Sequence, residues 1–427
     1  MKIGAWFRKR SPGFVLQRGR GLLERYGLGA GRAVRRLERC LDTLAQYGCA
    51  PTLPVPALVV ERHAPAMRHI QSRGVELAVH GYNHVDLKVY PADEAGRQLE
   101  RAARVFAQYG VEVHGFRCPY LSYTDALLEA LPPGLFAYSS NQAVAWADLP
   151  QPAPLERRDG NVLFETLKQF YVPRAAADTI SLPWMQEGLV EIPVSVPDDL
   201  QLRDGLGYDP AGLGRVWVDL LERTHRGGEV FNLMFHPELA SFCEAPFVEL
   251  LRAAHALRPG VWVARLCDIA QWWREKALLR IQLAVEGGQL HVHYDPLARA
   301  TLLVRGVDLP GLEAWDGVYR RVRSADFYLP AGPLPLVGLV PEVDAQVAQF
   351  LSNLGYLLAQ GEQAHRCAVY LDAQDLSGRA WVERIEHHDG PLLRLWPWPD
   401  GMRSALCISG DLDALSLLDY AARLFAR

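Results

Sequence analysis

Val75–His84 reads VELAVHGYNH. Its first five residues are mostly apolar and too few for a stable helix, so they read as a buried strand that ends at a histidine and turns at Gly81. His80 and His84 stand four positions apart, a spacing that brings two imidazoles to one side of a turn, where one divalent metal can take both. The same pair also suits one capping and one half-buried histidine. Loops at the carboxyl ends of parallel strands are where α/β domains keep their sites. A mixed-hardness metal site usually adds a carboxylate, so an aspartate at another strand end is expected.

Outward from this stretch, strand and helix alternate. Helical spacing covers Leu22–Tyr47, Pro65–Arg73, Glu94–Tyr109, Leu213–His225 and Pro246–Leu257. Apolar strand-like runs cover Thr52–Val60, Val111–Phe116, Val230–Phe235 and Gly260–Ala264. This rhythm over residues 1–275 predicts an α/β domain built on a mostly parallel sheet or barrel. From 276 to 395 the pattern becomes β-rich. Leu278–Val285 and Leu290–Tyr294 flank the hairpin signal Gly287-Gly288, and Leu302–Val307 and Ala368–Leu371 read as strands. Pro-rich Leu329–Pro341 reads as a connection and Val343–Leu358 as a helix. In residues 396–427, SALCIS (Ser404–Ser409) is followed by Gly410-Asp411-Leu412-Asp413 and the helical run Leu415–Phe425. Strand, acidic turn and helix make the opening unit of an α/β domain. Placed at the far end of the chain, they can complete a domain already built.

The whole chain of 427 residues is 49% hydrophobic and 22% charged, which excludes a mainly disordered or fibrous protein. No run reaches the ~18–20 apolar residues of a membrane span. With 45 basic against 49 acidic residues, there is no global attraction to nucleic acid. Met1–Arg10 lacks the apolar core of a secretory signal, and the seven cysteines include no CxxC pair; a cytoplasmic protein with reduced thiols is expected. Residues 1–36 carry ten Lys/Arg against the single acid Glu24. That run reads as a solvated basic helix, or as a patch facing an anionic lipid or a phosphorylated substrate.

Two more strand ends carry polar groups. GFRCPY (Gly115–Tyr120) places Arg117 where it can pair with a carboxylate, and NLMFHPE (Asn232–Glu238) puts His236 on the same rim. Each is ordinary alone.

In this order and spacing, ELAVHGYNH, GFRCPY and NLMFHPE resemble the polysaccharide deacetylases of the NodB-homology type, over roughly residues 35–275. The resemblance implies a distorted (β/α) barrel and a metal-dependent carbohydrate N-deacetylase holding Zn2+ or another divalent transition metal. His80 and His84 match the metal-binding histidines. Arg117 matches the arginine that orients the base, Tyr120 the residue whose backbone N–H helps hold the oxyanion, and His236 the acid. The family opens with a strand bearing two aspartates, whereas here no aspartate precedes Asp42. SALCISGDLD (Ser404–Asp413) resembles that missing strand. The chain therefore reads as circularly permuted, its last segment returning beside Thr52–Val60. By family order Asp411 is the base and Asp413 the metal ligand. Leu412 separates acids that are adjacent in the family, so the swapped assignment stays open, as does the reading of both as helix caps. Asp198 and Asp199 lie near the motif that supports the base–arginine pair in the family.

The expected partner is an N-acetylated carbohydrate, with Tyr82, Trp146 and Trp184 as candidate sugar-stacking rings. Two other readings stand beside this one. A catalytically inert carbohydrate-binding or assembly protein would keep the barrel as a scaffold, and another amide hydrolase would share the site and differ in its pocket.

Overall fold

The structure is a computed structural model that describes residues 27–150, 171–295, 298–372 and 381–425. Of the basic run 1–36, residues 1–26 lie outside the described residues.

Among the described residues, eleven strands arise before residue 276. They are β1 (Thr52–Val55), β2 (Glu76–Val79), β3 (Gly115–Phe116), β4 (Tyr138–Ser139), β5 (Ala143–Ala145) and β6 (Arg174–Ala175), then β7 (Trp184–Gln186), β8 (Leu189–Glu191), β9 (Val194–Val196), β10 (Val230–Phe235) and β11 (Val261–Val263). The β-rich part adds β12 (Ile281–Glu286), β13 (Gln289–Tyr294), β14 (Leu302–Arg305), β15 (Glu313–Asp316) and β16 (Tyr319–Val322). It continues with β17 (Asp326–Pro330), β18 (Leu334–Leu339), β19 (Leu358–Ala359), β20 (Cys367–Leu371) and β21 (Leu392–Leu395), and β22 (Ser404–Gly410) ends the series.

Twelve strands form one sheet in the order β6-β5-β9-β10-β22-β1-β2-β3-β4-β8-β7, with β11 also paired to β22. Every pair in it is parallel except β7–β8. The sheet curls, so that Arg117, just after β3, reaches Asp411, just after β22 and three strands away in the order. This is an α/β fold of the distorted-barrel kind, and β22, from the C-terminal segment, lies between β10 and β1 within it.

That last strand is central. β22 pairs with β10 over six residues from Val230↔Ala405 to Phe235↔Gly410, and touches β1 at Thr52↔Ser409. All seven of its residues are buried, as its unbroken apolar and small-residue run requires of a strand covered on both faces. Leu406 and Ile408 join the core shared with helices 30–45, 57–72, 92–108, 210–227 and 240–256, whereas Ala405 and Cys407 face the opposite cluster. The two-residue period of a strand produces that division.

Local chemistry sets the helices. In Ala30–Ala45 the buried residues Ala33, Leu37, Cys40, Leu41 and Leu44 recur at helical spacing. Pro210–Gly227 begins with Asp209 accepting the Gly212 N–H, carries Pro210 at its first position and ends at Gly228 in the left-handed region. A Cβ there would also meet Trp396 at 2.3 Å, so only glycine fits.

Three sheets of three, four and three strands make up the β-rich part. One hydrophobic cluster joins it to the barrel through Trp272, Trp273, Trp396 and Trp398. Trp398 donates to the Gly228 carbonyl at 2.7 Å, and Trp272 to the Pro397 carbonyl at 2.8 Å.

Several expected boundaries shift for physical reasons. The strand begun at Thr52 stops at Val55, because Pro56 starts the helix Ala57–Ser72. Of Val111–Phe116, only Gly115 and Phe116 pair. The Pro-rich Leu329–Pro341, read as a connection, contains β18; a register shift between Leu334 and Val337 takes Pro335 out of regular pairing.

Candidate active site

The carboxyl ends of β2, β3, β10 and β22 bring four sequence-distant segments together. After β2, the His80 N–H donates to the Val55 carbonyl at 3.0 Å, and Gly81 (φ +71°) turns the chain. The carbonyls of Gly81 and Tyr82 accept from Ala57 and Leu58 at 3.0 and 2.8 Å, which ties the loop to the start of the helix Ala57–Ser72. His84 is held at φ +58°, a sparsely populated conformation for a residue with a Cβ. After β22, the N–H groups of Asp411 and Leu412 donate to Phe235 and Pro54 at 3.0 and 2.9 Å, continuing the sheet past its last paired residue. Leu412 faces the core, so Asp411 and Asp413 share the opposite side.

These placements bring His80, His84 and Asp413 together, with one ligand atom from each within 4.8 Å of the others. His84 Nε2 lies 3.1 Å from Asp413 Oδ1, and His80 Nε2 lies 3.7 Å from both Asp413 Oδ1 and Asp411 Oδ2. His80 Nδ1 sits 2.8 Å from the Arg117 carbonyl, which can only accept, so the proton is on Nδ1 and the Nε2 lone pair faces the acids. Among the described residues Nε2 is fully buried without a hydrogen-bond partner. Burial holds the His80 pKa down to about 4, with the charges of Asp411 and Asp413 acting against it, so the imidazole is neutral as a ligand must be. Two nitrogens and a carboxylate oxygen around one buried, unsatisfied atom fit a divalent transition metal.

A second set, Asp198, Asp199 and His236, also has mutually close ligand atoms. Its atoms are engaged internally. Asp199 Oδ1 bonds His236 Nδ1 at 2.7 Å, its Oδ2 accepts the His236 N–H at 2.9 Å, and Asp198 Oδ1 accepts the Gln201 N–H at 2.7 Å. Burial disfavours the His236 cation, yet Asp199 and Asp198 outweigh it and hold its pKa well above the usual imidazole range. Burial pushes Asp198 up to about 7. Asp199 thus serves His236 and not the arginine, contrary to the support expected for the base–arginine pair.

Arg117 is fully buried, and its Nη1 donates to Asp411 Oδ1 at 2.7 Å. Its other bonds reach the Ser140 carbonyl, Ser140 Oγ and Ser409 Oγ. Behind it, Glu191 accepts the N–H groups of Asn141 and Gln142 at 2.6 and 2.7 Å. Asn141 Oδ1 in turn accepts the Cys118 N–H at 2.7 Å, fixing the turn that carries Arg117. Tyr120 adopts φ +61°, exposes 46% of its surface and sets its ring edge-on to His84 at 4.8 Å.

The three candidate sugar-stacking rings are placed differently. Tyr82 carries the Arg101 guanidinium 3.9 Å over its ring and donates to Glu61 at 3.1 Å. Trp184 is half-buried in β7 opposite Glu191. Trp146 lies in the core, because its backbone pairs with Val196 and turns the indole inward.

The sequence marks Ser140, Ser409, Asn232 and Tyr171 by no spacing of their own. Tyr171 packs beside Leu121 and Met234; its phenol is held well above its usual pKa, first by burial and then by the charges of Asp198, Asp411 and Asp413. A cleft of about 610 Å³ beside β13, lined by Glu275, Leu278, His293 and Tyr294 among others, contributes nothing to this cluster.

A curled α/β sheet with a His–His–Asp set beside a buried Arg–Asp pair defines the class. Residues 30–132, which include His80, His84, Arg117 and Tyr120, match the family model described as polysaccharide deacetylase. A search of curated proteins finds no match. Among solved structures, one from Mycobacterium smegmatis described with the polysaccharide deacetylases is 22% identical, over 58% of this chain and 79% of that one, with a TM-score of 0.43. The peptidoglycan deacetylase PdaC from Bacillus subtilis is 13% identical, over 57% and 88%, with a TM-score of 0.32. Puue allantoinase is 16% identical, over 57% and 72%, with a TM-score of 0.42. At these scores the likenesses carry no weight for function.

Proposed function

We propose that the protein is a metal-dependent hydrolase that removes the N-acetyl group from a carbohydrate. The observation that carries this reading is the convergence of His80 Nε2, His84 Nε2 and Asp413 Oδ1 beside the Arg117–Asp411 pair. His80, His84 and Asp413 would hold Zn2+ or another divalent transition metal. When bound, the ion lowers the pKa of water and polarises the acetyl carbonyl. Asp411, aimed by Arg117, takes the proton from the attacking water. We assign the Tyr120 backbone N–H as a donor to the oxygen on which negative charge develops. His236, kept protonated by Asp199, gives a proton to the departing amine. Tyr82 and Trp184 are candidate sugar contacts, and the exposed ring of Tyr120 joins them.

In the same reading the chain is circularly permuted. Residues 1–275 form the deacetylase-like barrel, 276–395 an accessory module and 396–427 the returning strand and helix.

Zinc content and acetate release from a panel of N-acetylated sugars and small amides test the proposal. One zinc per chain and acetate from a sugar, both lost in His80→Ala and His84→Ala, are the expected results. A chain that stays metal-free after zinc dialysis is a scaffold instead, and turnover confined to small amides makes it a different amide hydrolase.

A further inference from the structure

Arg117 is held by neutral oxygens on the side away from Asp411. Its Nη2 donates to Ser140 Oγ at 3.1 Å and to Ser409 Oγ at 2.9 Å, while Nε donates to the Ser140 carbonyl at 3.1 Å. A hydroxyl can accept in this way only when its own proton points elsewhere. Ser140 Oγ donates to the Ile192 carbonyl at 2.9 Å. Ser409 Oγ has Asn232 Oδ1 at 2.9 Å and the Leu233 carbonyl at 3.0 Å to take its proton.

Asn232, in β10, touches both hydroxyls with opposite ends of one amide. Its Oδ1 accepts from Ser409, and its Nδ2 donates to Ser140 Oγ at 3.1 Å and to the Pro193 carbonyl at 3.0 Å. The Pro193 carbonyl fixes which end is which, since only the amide nitrogen can serve it. Arg117, Ser140, Asn232 and Ser409 are all fully buried, where a misdirected polar group is most unfavourable.

We propose that Asn232 is a positioning residue. By orienting the Ser140 and Ser409 hydroxyls it fixes the plane of the Arg117 guanidinium, and so aims Nη1 at Asp411. This rests on the reading of Asp411 as the base in an N-acetyl hydrolase. It does not require Asn232 to touch substrate or metal.

The test uses the full chain loaded with zinc, as wild type, Asn232→Ala, Ser140→Ala, Arg117→Lys and the double variant Asn232→Ala/Arg117→Lys. Either alanine variant is expected to lose about tenfold in kcat with KM within about twofold, since only an interaction realised in the transition state is weakened. Zinc content should stay that of the wild type. In the Arg117→Lys background, Asn232→Ala should cost less than about twofold more, because lysine has no fork to orient. A role confined to packing would multiply unchanged onto Arg117→Lys and lower folded yield and zinc content together. Ser140→Ala removes a single hydroxyl and keeps the inference refutable should Asn232→Ala fail to fold. The inference falls if the folded alanine variants keep the wild-type kcat, or if the two effects multiply. A wild type that releases no acetate from N-acetyl sugars overturns the functional reading and this inference with it. An active wild type with unmoved variants overturns this inference alone.

Discussion

Arg117 donates from Nη1 to Oδ1 of Asp411 at 2.7 Å, joining residues 294 positions apart in the chain. The pair is buried, so breaking it by removing one partner leaves a charge without compensation, which is far more damaging than losing a surface ion pair. Just after β22, Asp411 faces the arginine, and Asp413 faces His84.

That division predicts opposite phenotypes. Asp411→Asn should retain zinc and lose about 10²–10⁴-fold in kcat, the usual range for removing a general base. Asp413→Ala should weaken zinc binding by more than about 100-fold. Zinc titration and acetate-release kinetics on both variants check this, and the reverse pattern would establish the swapped assignment.

The pH profile should carry the mark of the Asp199–His236 pair. Burial acts against the imidazolium, but Asp199 overrides it, so His236 stays protonated above the ordinary imidazole range. The alkaline limb of kcat/KM should therefore lie above pH ~6.5, and Asp199→Ala should move it downward. A raised histidine pKa also contributes stability that is full below its unfolded value and lost as pH rises through the folded one. Asp198, up at about 7, titrates nearby, so the limb reports the group and not His236 alone.

The tail is latched by Asp419. Its carboxylate bonds His63 Nε2 at 3.0 Å, Arg62 Nε at 2.8 Å and Ser416 Oγ at 2.8 Å. Burial alone would raise its pKa, but His63 and its other partners outweigh that and lower it. The latch therefore contributes stability above the usual aspartate pKa that is lost as pH falls through the lowered one. Asp419→Ala should destabilise the fold by about 2 kcal/mol, read as a lower Tm, with faster amide exchange in β22.

Permutation can be tested by reversing it. The Leu417 N–H donates to the Gly27 carbonyl at 2.8 Å, so the tail helix begins against the start of the described chain. A chain opened at the Asp400-Gly401 turn, with a flexible linker of about ten residues from Arg427 to Gly27, should fold and bind zinc. Failure to take up zinc while the parent does so would count against equivalence of the two chain orders.

Much of the fold could be read from local pattern. The buried run of β22 and the amphipathic helix Ala30–Ala45 carry their periods openly, because burial on two faces or on one stripe demands them. Boundaries slipped where a single proline decides, as at Pro56, or where a register shift admits one, as at Pro335. Trp146 shows the limit for side chains, since only the pairing of its backbone with Val196 turns the indole into the core.

By itself the sequence determined which residue types were available to bind a metal and move protons: paired histidines, an arginine, a late histidine and two acids at strand ends. Tertiary structure alone decided that β22 lies between β10 and β1, that Asp199 serves His236, and that Ser140, Asn232 and Ser409 surround Arg117. The reason is physical. Strand and helix periods are set by neighbours in the chain, whereas a hydrogen bond across a barrel depends on how far the sheet has curled, which no local spacing encodes.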